Sequence, residues 1–474
     1  MCVYTTWRSE EILDRSHALQ GERVELDRIS GLLEKLAERH RVPGAQLAVY
    51  LDGELLEAVH GVTRTGRPDP VTPRSRFPYG SVSKIFTAAL VMQLVEDGEI
   101  ELDRPVADHL ASHQIPHGHP MRSTTLRHLL SHTSGLVSDH EGAPLRSASL
   151  RRHFTSVLDT EWISTPGTAF SYSNTGYAVA AYVVEAVTGQ DWWEAIESYL
   201  FGPTGLDLAF VHDARTPSAR PDTVSGHAVH SATGHTEPVD FYVEPALTAA
   251  GGLAGSATDL VAFARAFMAA DHAALDTEIA DPEVLAEMGR EVRAAEPFGL
   301  ADGWCAGWGV FHADRTRWLG HDGTLDGGTC NVRLDPAGGA AVALTTNSTT
   351  GLAMWEDLVD ELRNLGLHVG HYRQPRPASG TSLPDARFTG NYTNGELSVR
   401  ITPDQAGAFR FNISNGLHGS LEAGPDLTFS VEAAEYGGLL LSGRFLRAPD
   451  SADTVELMQY NGRTLRRTDQ ATAA

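Results

Sequence analysis

The sequence contains very little lysine. Only Lys35 and Lys84 occur among 474 residues, and arginine supplies nearly all of the positive charge. The formal net charge is -24, and no cluster of lysine or arginine forms a basic patch. Because nucleic-acid binding needs a basic surface that displaces counterions from phosphates, this balance argues against a nucleic-acid partner. The acidic charge is expected to serve solubility.

Long hydrophobic runs are absent and cysteine is scarce. No stretch of about twenty apolar residues occurs, so no transmembrane helix or membrane partner is expected. The first 21 residues show neither the apolar core nor the cleavage site of a secretion signal. The three cysteines, Cys2, Cys305 and Cys330, cannot all pair and lack the spacing of metal ligands. We therefore expect free thiols and a cytoplasmic location.

A metal or other cofactor is not predicted either. His113, His117 and His119 lie together, but their Pro/Gly-rich segment carries no carboxylate placed to complete a metal shell.

The length and composition indicate more than one folded domain. The chain is 42% hydrophobic and 21% charged, as in a globular protein, and is too long for one ordinary core. A Pro- and Gly-containing segment at residues 371–386 is typical of a linker. The predicted division is an N-terminal extension at residues 1–22, a large domain at 23–370, the linker, and a small domain at 387–474.

The order of hydrophobic patterns predicts an α/β fold of the α+β type. Ala45–Tyr50 and Glu54–Val59 are predicted as a hairpin, and further strand patterns return only after Gly307. Helical patterns fill the chain between them. We therefore expect one antiparallel sheet, with strands from both ends of the large domain and a helical insertion between them. Short alternating runs after the linker predict a small antiparallel β-barrel.

The first chemical motif is Ser81 followed three residues later by Lys84, at the start of an apolar helix. This spacing places both side chains on one helix face, where a desolvated lysine can take the proton of a serine nucleophile. Serine and lysine at this spacing also occur by chance. A lysine in an apolar helix of a chain nearly devoid of lysine is hard to explain as surface charge. Gly80 permits a sharp entry into the helix.

Two further motifs offer polar groups at element ends. Tyr172, Ser173 and Asn174 begin another helix. Either Ser173 or Asn174 is an ordinary helix cap, or Tyr172 and Asn174 are partners of Ser81 and Lys84. His321, Gly323 and Thr324 follow a predicted strand and are either a hairpin turn or part of a site. In the second interpretation the amides of Thr324 and Ser81 bind an oxyanion.

Taken together and in this order, the motifs resemble those of the penicillin-binding protein and class C β-lactamase superfamily of serine acyl enzymes. They are Ser81-x-x-Lys84, Tyr172-x-Asn174 and His321-x-Gly323, supported by the segments Leu129–Leu136 and Ala250–Leu253. The resemblance covers about residues 42–367 and implies a β-lactamase/DD-peptidase-like fold. It implies Ser81 as the acylated nucleophile, Lys84 and Tyr172 as the proton-handling pair, and Asn174 as a ligand of substrate and lysine. It also implies that His321, from the third motif, is a partner of these residues in the site.

The histidine is a departure, since β-lactamases and cell-wall transpeptidases usually have lysine there. It favours relatives that are esterases, D-aminopeptidases or peptide cyclases. The C-terminal barrel resembles the lipocalin-like domain of penicillin-binding-protein-type thioesterases, which release and cyclise nonribosomal peptides.

This resemblance implies a peptidyl-thioester cyclase, with a small-molecule or peptidyl (thio)ester as substrate and a peptidyl carrier protein as a candidate partner. A cytoplasmic esterase or D-aminopeptidase and, less readily, a non-catalytic penicillin-binding sensor are the alternatives. In the barrel, Arg463, Arg466 and Arg467 are either solvated or include one ligand for a substrate carboxylate, for which we take Arg466.

Overall fold

A computed structural model describes residues 28–110, 115–140, 149–211, 223–230, 233–268, 279–374, 386–403, 409–414, 416–433, 439–447 and 455–468. The predicted extension at residues 1–22, most of the predicted linker, Cys2 and His113 lie outside these ranges.

The centre of the larger part is a seven-stranded antiparallel sheet with the order β2-β1-β12-β11-β10-β9-β8. Its first two strands come from the start of the chain and the other five from after the helical segment. This arrangement confirms the sheet predicted from the sequence. The strands, with the short ones of the insertion, are β1 Gly44–Leu51, β2 Glu54–Gly61, β3 Phe77–Pro78, β4 Ala209–Phe210, β5 Gly226–Val229, β6 Thr236–Val239, β7 Leu253–Gly255, β8 Gly303–Trp304, β9 Gly309–Ala313, β10 Thr316–Leu325, β11 Gly328–Asp335 and β12 Ala340–Thr346.

Helices cover both faces of this sheet. They are α1 at residues 28–40, α2 Ser83–Glu96, α3 Val106–His109, α4 Leu126–Leu130, α5 Leu150–Val157, α6 Asn174–Thr188, α7 Trp192–Ile196, α8 Gly202–Thr204, α9 Thr248–Gly251, α10 Ala257–Arg265, α11 Pro282–Met288 and α12 Gly351–Asn364.

The two faces carry separate hydrophobic cores. On one face, α2 and α6 pack with α10, and β1 contributes Ala48 and Tyr50. On the other face, α1 packs with α12, and β1 contributes Leu47 and Val49. Because successive residues of a strand face opposite sides, β1 supplies both cores and is buried along nearly its whole length.

The C-terminal part is a closed barrel of eight antiparallel strands, as the sequence predicts in outline. Alternate residues such as Val399, Ile401, Phe411 and Phe429 fill its interior. The strands are β13 Gly390–Asn394, β14 Leu397–Pro403, β15 Phe409–Ile413, β16 His418–Ala423, β17 Thr428–Ala433, β18 Leu439–Arg447, β19 Val455–Tyr460 and β20 Arg463–Arg467.

The described ranges contain neither a membrane-spanning helix nor a metal-binding cluster of side chains. None of their helices combines the length and the apolar character needed to cross a bilayer. No group of three histidine, cysteine or acidic side chains within them is placed to hold a metal ion.

Candidate active site

Ser81 lies at the junction between the sheet and α2. It occupies a 3-10 turn, Gly80–Val82, that leads directly into the helix. Gly80 has a φ of 52°, and a Cβ atom there would lie 2.6 Å from the Thr324 carbonyl oxygen. Only glycine allows the turn to approach β10 this closely, and this contact presents Ser81 to the strand.

Lys84 is completely buried one turn later. Its Nζ lies 3.2 Å from Ser81 Oγ, 2.6 Å from Asn174 Oδ1 and 2.7 Å from the Ala250 carbonyl oxygen. Burial lowers the pKa of the amine well below its usual range, although the charge of Asp139 opposes this effect. An uncharged amine donates its two hydrogens to the two carbonyl oxygens and presents its lone pair to the Ser81 hydroxyl. The geometry is therefore that of a general base beside a nucleophile.

Tyr172 lies in the extended segment before α6 and is also buried. Its ring centroid is 4.9 Å from Lys84 Nζ. Burial raises the pKa of the phenol above its usual range, and the nearby Ser81 hydroxyl opposes this effect only in part. The Tyr172 hydroxyl nevertheless makes no hydrogen bond of ordinary geometry with a described residue. The surroundings move the two pKa values in opposite directions, which suits Lys84 to accept a proton and Tyr172 to donate one.

Asn174 links the amine to an acidic group that the sequence analysis missed. Its Oδ1 accepts from Lys84, and its Nδ2 donates to Asp139 Oδ1 over 2.6 Å. The preceding Ser173 caps α6, because its Oγ accepts from the Gly176 amide. Ser173 is therefore the helix cap, and its neighbours Tyr172 and Asn174 both lie beside Lys84.

His132 supports the other side of Tyr172. Its ring is stacked on the phenol at a centroid distance of 4.2 Å, and its Nδ1 accepts from the Ser173 amide. Burial lowers the pKa of this histidine well below its usual range, so the ring is neutral. His132 lies in the segment Leu129–Leu136, but no pattern in the sequence assigns it this role.

His321 lies inside β10 rather than after its end, since the strand continues to Leu325. Its Nδ1 donates to the Asp322 carbonyl oxygen over 2.8 Å, so the hydrogen is on Nδ1 and Nε2 has a free lone pair. Nε2 is buried and has no hydrogen-bond partner among the described residues. Burial, followed by the charge of Lys84, lowers the pKa of His321 to about 3. The residue is a neutral acceptor and not a cation.

An ion pair between a buried arginine and a partly exposed aspartate holds the third motif in place. Arg333 on β11 is fully buried and makes two hydrogen bonds to the Asp322 carboxylate, over 2.7 and 2.9 Å. Asn331 donates a third over 2.7 Å. These contacts fix Asp322, the residue that follows His321 on β10.

The candidate oxyanion site lies where β10 meets the serine turn. A Cβ atom on Gly323 would lie 2.0 Å from the Tyr79 carbonyl oxygen and 3.0 Å from the Ser81 amide nitrogen. Ser81 and Thr324 both border a pocket of about 190 Å³, which Asn174 and Gly251 also line. The two residues whose amides are expected to bind the oxyanion thus share one cavity.

The barrel also reaches this site, but through a different arginine from the one predicted. The Arg463 guanidinium lies 5.6 Å from the Tyr172 ring centroid, and its Nη2 is 3.7 Å from Asp139 Oδ2. Arg466 instead donates to the Trp162 carbonyl oxygen. Arg467 donates to backbone carbonyls, among them that of Arg387. Of the three, Arg463 is the one that lies beside Tyr172 and Asp139.

Comparison with known proteins gives matches over most of the chain. The family model described as Beta-lactamase matches residues 29–365. Penicillin-binding protein 4 of Amycolatopsis lactamdurans is 34% identical, over 76% of this chain and 95% of that protein. A D-aminopeptidase of Gluconobacter oxydans is 28% identical, over 80% of this chain and 69% of that protein. The crystal structure of SurE has a TM-score of 0.86 and 41% identity, over 94% of this chain and 100% of that one. A structure of SurE with D-Leu has a TM-score of 0.83.

Proposed function

This chain belongs to the β-lactamase family of serine hydrolases, and we propose that it is a stand-alone penicillin-binding-protein-type thioesterase that releases and cyclises a nonribosomal peptide. The observation that carries this proposal is the similarity to SurE, a thioesterase of that type, at 41% identity over 94% of the chain. The similarity includes the barrel as well as the sheet and its helices.

Acylation is the first step. Ser81 Oγ attacks the thioester carbonyl while its proton passes to the uncharged Lys84 amine, 3.2 Å away. The amides of Ser81 and Thr324 stabilise the negative oxygen that forms. The C–S bond then breaks, and the leaving thiolate takes a proton from the Lys84 and Tyr172 pair. The peptide is left as an ester of Ser81.

Release regenerates the serine. The amino group of the same peptide attacks the ester carbonyl, gives up one proton, and displaces Ser81 Oγ, which is reprotonated. The product is a macrolactam. His321 suits this step, because its free Nε2 lone pair is a buried acceptor for an amine N–H. If water attacks instead, the product is the linear acid.

The acyl residue at Ser81 is proposed to have the D configuration. SurE has been solved with D-Leu, and the Gluconobacter relative is a D-aminopeptidase. A peptidyl carrier protein is the proposed source of the thioester, which places the reaction in the cytoplasm.

A hydrolytic esterase or D-aminopeptidase is the second candidate. The D-aminopeptidase relative favours it, because acylation would be the same and only the resolving nucleophile would differ. A non-catalytic sensor is disfavoured, since simple ligand binding does not require a buried lysine whose pKa is lowered beside a serine hydroxyl.

The test is mass spectrometry after incubation with two linear peptide thioesters that differ only in a D or L residue at the carboxyl end. The proposal expects a product one water lighter than the linear acid, formed from the D peptide and abolished by Ser81→Ala. Free acid as the only product would favour the hydrolase. No Ser81-dependent product of either kind would refute acyl-enzyme chemistry altogether.

A further inference from the structure

The barrel does not sit beside the catalytic domain as a separate module. Its β19–β20 hairpin turns at Asn461 and Gly462, both with positive φ, as a tight hairpin requires. The Gly462 carbonyl oxygen accepts from the Tyr172 amide over 2.9 Å, and the Gly462 amide donates to the Phe298 carbonyl oxygen. A backbone group of the catalytic tyrosine is thus bonded to the barrel.

A second barrel residue, Thr464, extends this contact along the same segment. Its side chain is completely buried, and its Oγ1 donates to the Phe170 carbonyl oxygen over 2.6 Å. Its amide donates to Ser171 Oγ over 3.2 Å. Each residue of the segment Phe170–Tyr172 is therefore hydrogen-bonded to β20 or to the turn before it, and the segment lies along β20.

Asn394, at the end of β13, contacts the segment from a second direction. Its Nδ2 donates to Ser171 Oγ and to the Thr464 carbonyl oxygen, and its Oδ1 accepts from the Ser138 amide over 2.7 Å. The Ser138 carbonyl oxygen in turn accepts from the Asn174 amide. Asn394 is only 1% exposed, so the catalytic domain and the barrel together satisfy its polar atoms.

We infer that Thr464 and Asn394 are positioning residues of the reaction: through them the barrel sets where Tyr172 and Asn174 stand relative to Ser81 and Lys84. This inference rests on the proposed acyl chemistry at Ser81, but not on cyclisation. Buried polar contacts of this kind fix one arrangement, because any shift leaves donors or acceptors unpaired. A small displacement of a proton-handling group reduces the rate steeply.

The test measures how fast p-nitrophenyl acetate acylates Ser81 in the full-length chain, by stopped-flow release of nitrophenolate across a range of pH. Thr464→Val removes only the hydroxyl donor, and Thr464→Ser restores it. Asn394→Asp keeps the acceptor for Ser138 but loses both donated bonds. Ser442→Ala is the matched control, because this buried barrel hydroxyl bonds Gln374 rather than the catalytic segment.

We expect Thr464→Val and Asn394→Asp to slow acylation by roughly tenfold, as for a misplaced catalytic group. The acid limb of the pH profile should also move to higher pH, since a looser site readmits water to Lys84 and raises its pKa towards the usual value. Thr464→Ser and Ser442→Ala should behave like wild type.

Melting curves identify variants that fail to fold, and if Thr464→Val is one of them, Asn394→Asp decides the question. A wild-type rate and pH profile in a folded Asn394→Asp or Thr464→Val variant would overturn the inference, even with a lowered melting temperature. An equal loss in Ser442→Ala would overturn it as well, because the effect would then be a general one. A wild-type chain that the ester cannot acylate would refute the proposed function, and this inference with it.

Discussion

Replacing Gly323 by alanine gives the most direct test of the oxyanion site. The new Cβ atom would lie 2.0 Å from the Tyr79 carbonyl oxygen, 3.0 Å from the Ser81 amide and 3.1 Å from the Val82 amide. Real Cβ contacts are essentially never shorter than 3.0 Å, so β10 and the serine turn must separate. The separation needed is about 1 Å, a misplacement that can cost about a hundredfold in rate.

The expected loss can be checked against a second magnitude. Removing one oxyanion donor costs about 10²–10³ in kcat, or about 3–4 kcal/mol of transition-state stabilisation. We therefore expect Gly323→Ala to lower kcat for a thioester or ester substrate by about a hundredfold, with little change in KM, because the donors act on the transition state. The affinity for a boronate transition-state analogue should fall in parallel.

A matched control separates this effect from general overpacking, which costs about 1–3 kcal/mol of stability. Gly309→Ala, on the neighbouring strand β9, places its Cβ atom 3.1 Å from the Phe311 side chain and away from Ser81. It should retain nearly full activity. A folded Gly323→Ala variant with kcat within threefold of wild type would refute the assignment of β10 to the oxyanion site.

Three further results are expected. Lys84→Met should lower the acylation rate by roughly 10²–10⁴, the usual contribution of a general base, while a melting curve shows that the fold is kept. In the pH profile of acylation, which rises as Lys84 loses its proton, Asp139→Asn should move the acid limb to lower pH and Arg463→Met to higher pH. The reason is that the charge of Asp139 raises the pKa of Lys84, whereas the charge of Arg463 lowers it. If the two variants moved the acid limb in the same direction, this assignment of the limb to Lys84 would be wrong. Burial lowers the pKa of His321 to about 3 in the folded protein. Its contribution to the free energy of unfolding is therefore present above about pH 6.5 and is lost as the pH falls towards 3. In denaturant titrations, the stability of His321→Asn should fall less steeply in acid than that of wild type.

The sequence predicts the elements of the catalytic domain well because their signals are local. The hairpin predicted from Ala45–Tyr50 and Glu54–Val59 appears as β1 and β2, and α2 and α6 begin within two residues of Ser81 and Tyr172, where the sequence predicts helices. One strand of the barrel, β16, gives no clear alternating pattern in the sequence. Its inward positions include Gly419 and Ala423, which carry too little hydrophobicity to show an alternating pattern. Gly419 has to be small, since a Cβ atom there would lie 2.4 Å from the Glu432 carbonyl oxygen.

The candidate site likewise contains residues whose proximity a local pattern predicts and residues whose proximity it does not. Ser81 and Lys84 are three residues apart on one turn, so their meeting follows from helix geometry alone. Asp139 meets Asn174 from 35 positions away in the chain, and Arg463 depends on how the barrel packs against the catalytic domain; no local pattern describes either contact. The choice among the three arginines depends on the turn at Gly462, because the turn directs Arg463 to Tyr172 while Arg466 contacts Trp162.

The position of the sheet between the two lysines has a practical consequence. Lys35 lies on α1 with its side chain 61% exposed, whereas Lys84 is inaccessible on the opposite face. Amine-coupling reagents therefore find a single lysine side chain on the described surface. Coupling through Lys35 attaches the protein by α1, on the face of the sheet opposite α2, and leaves the Lys84 amine unmodified.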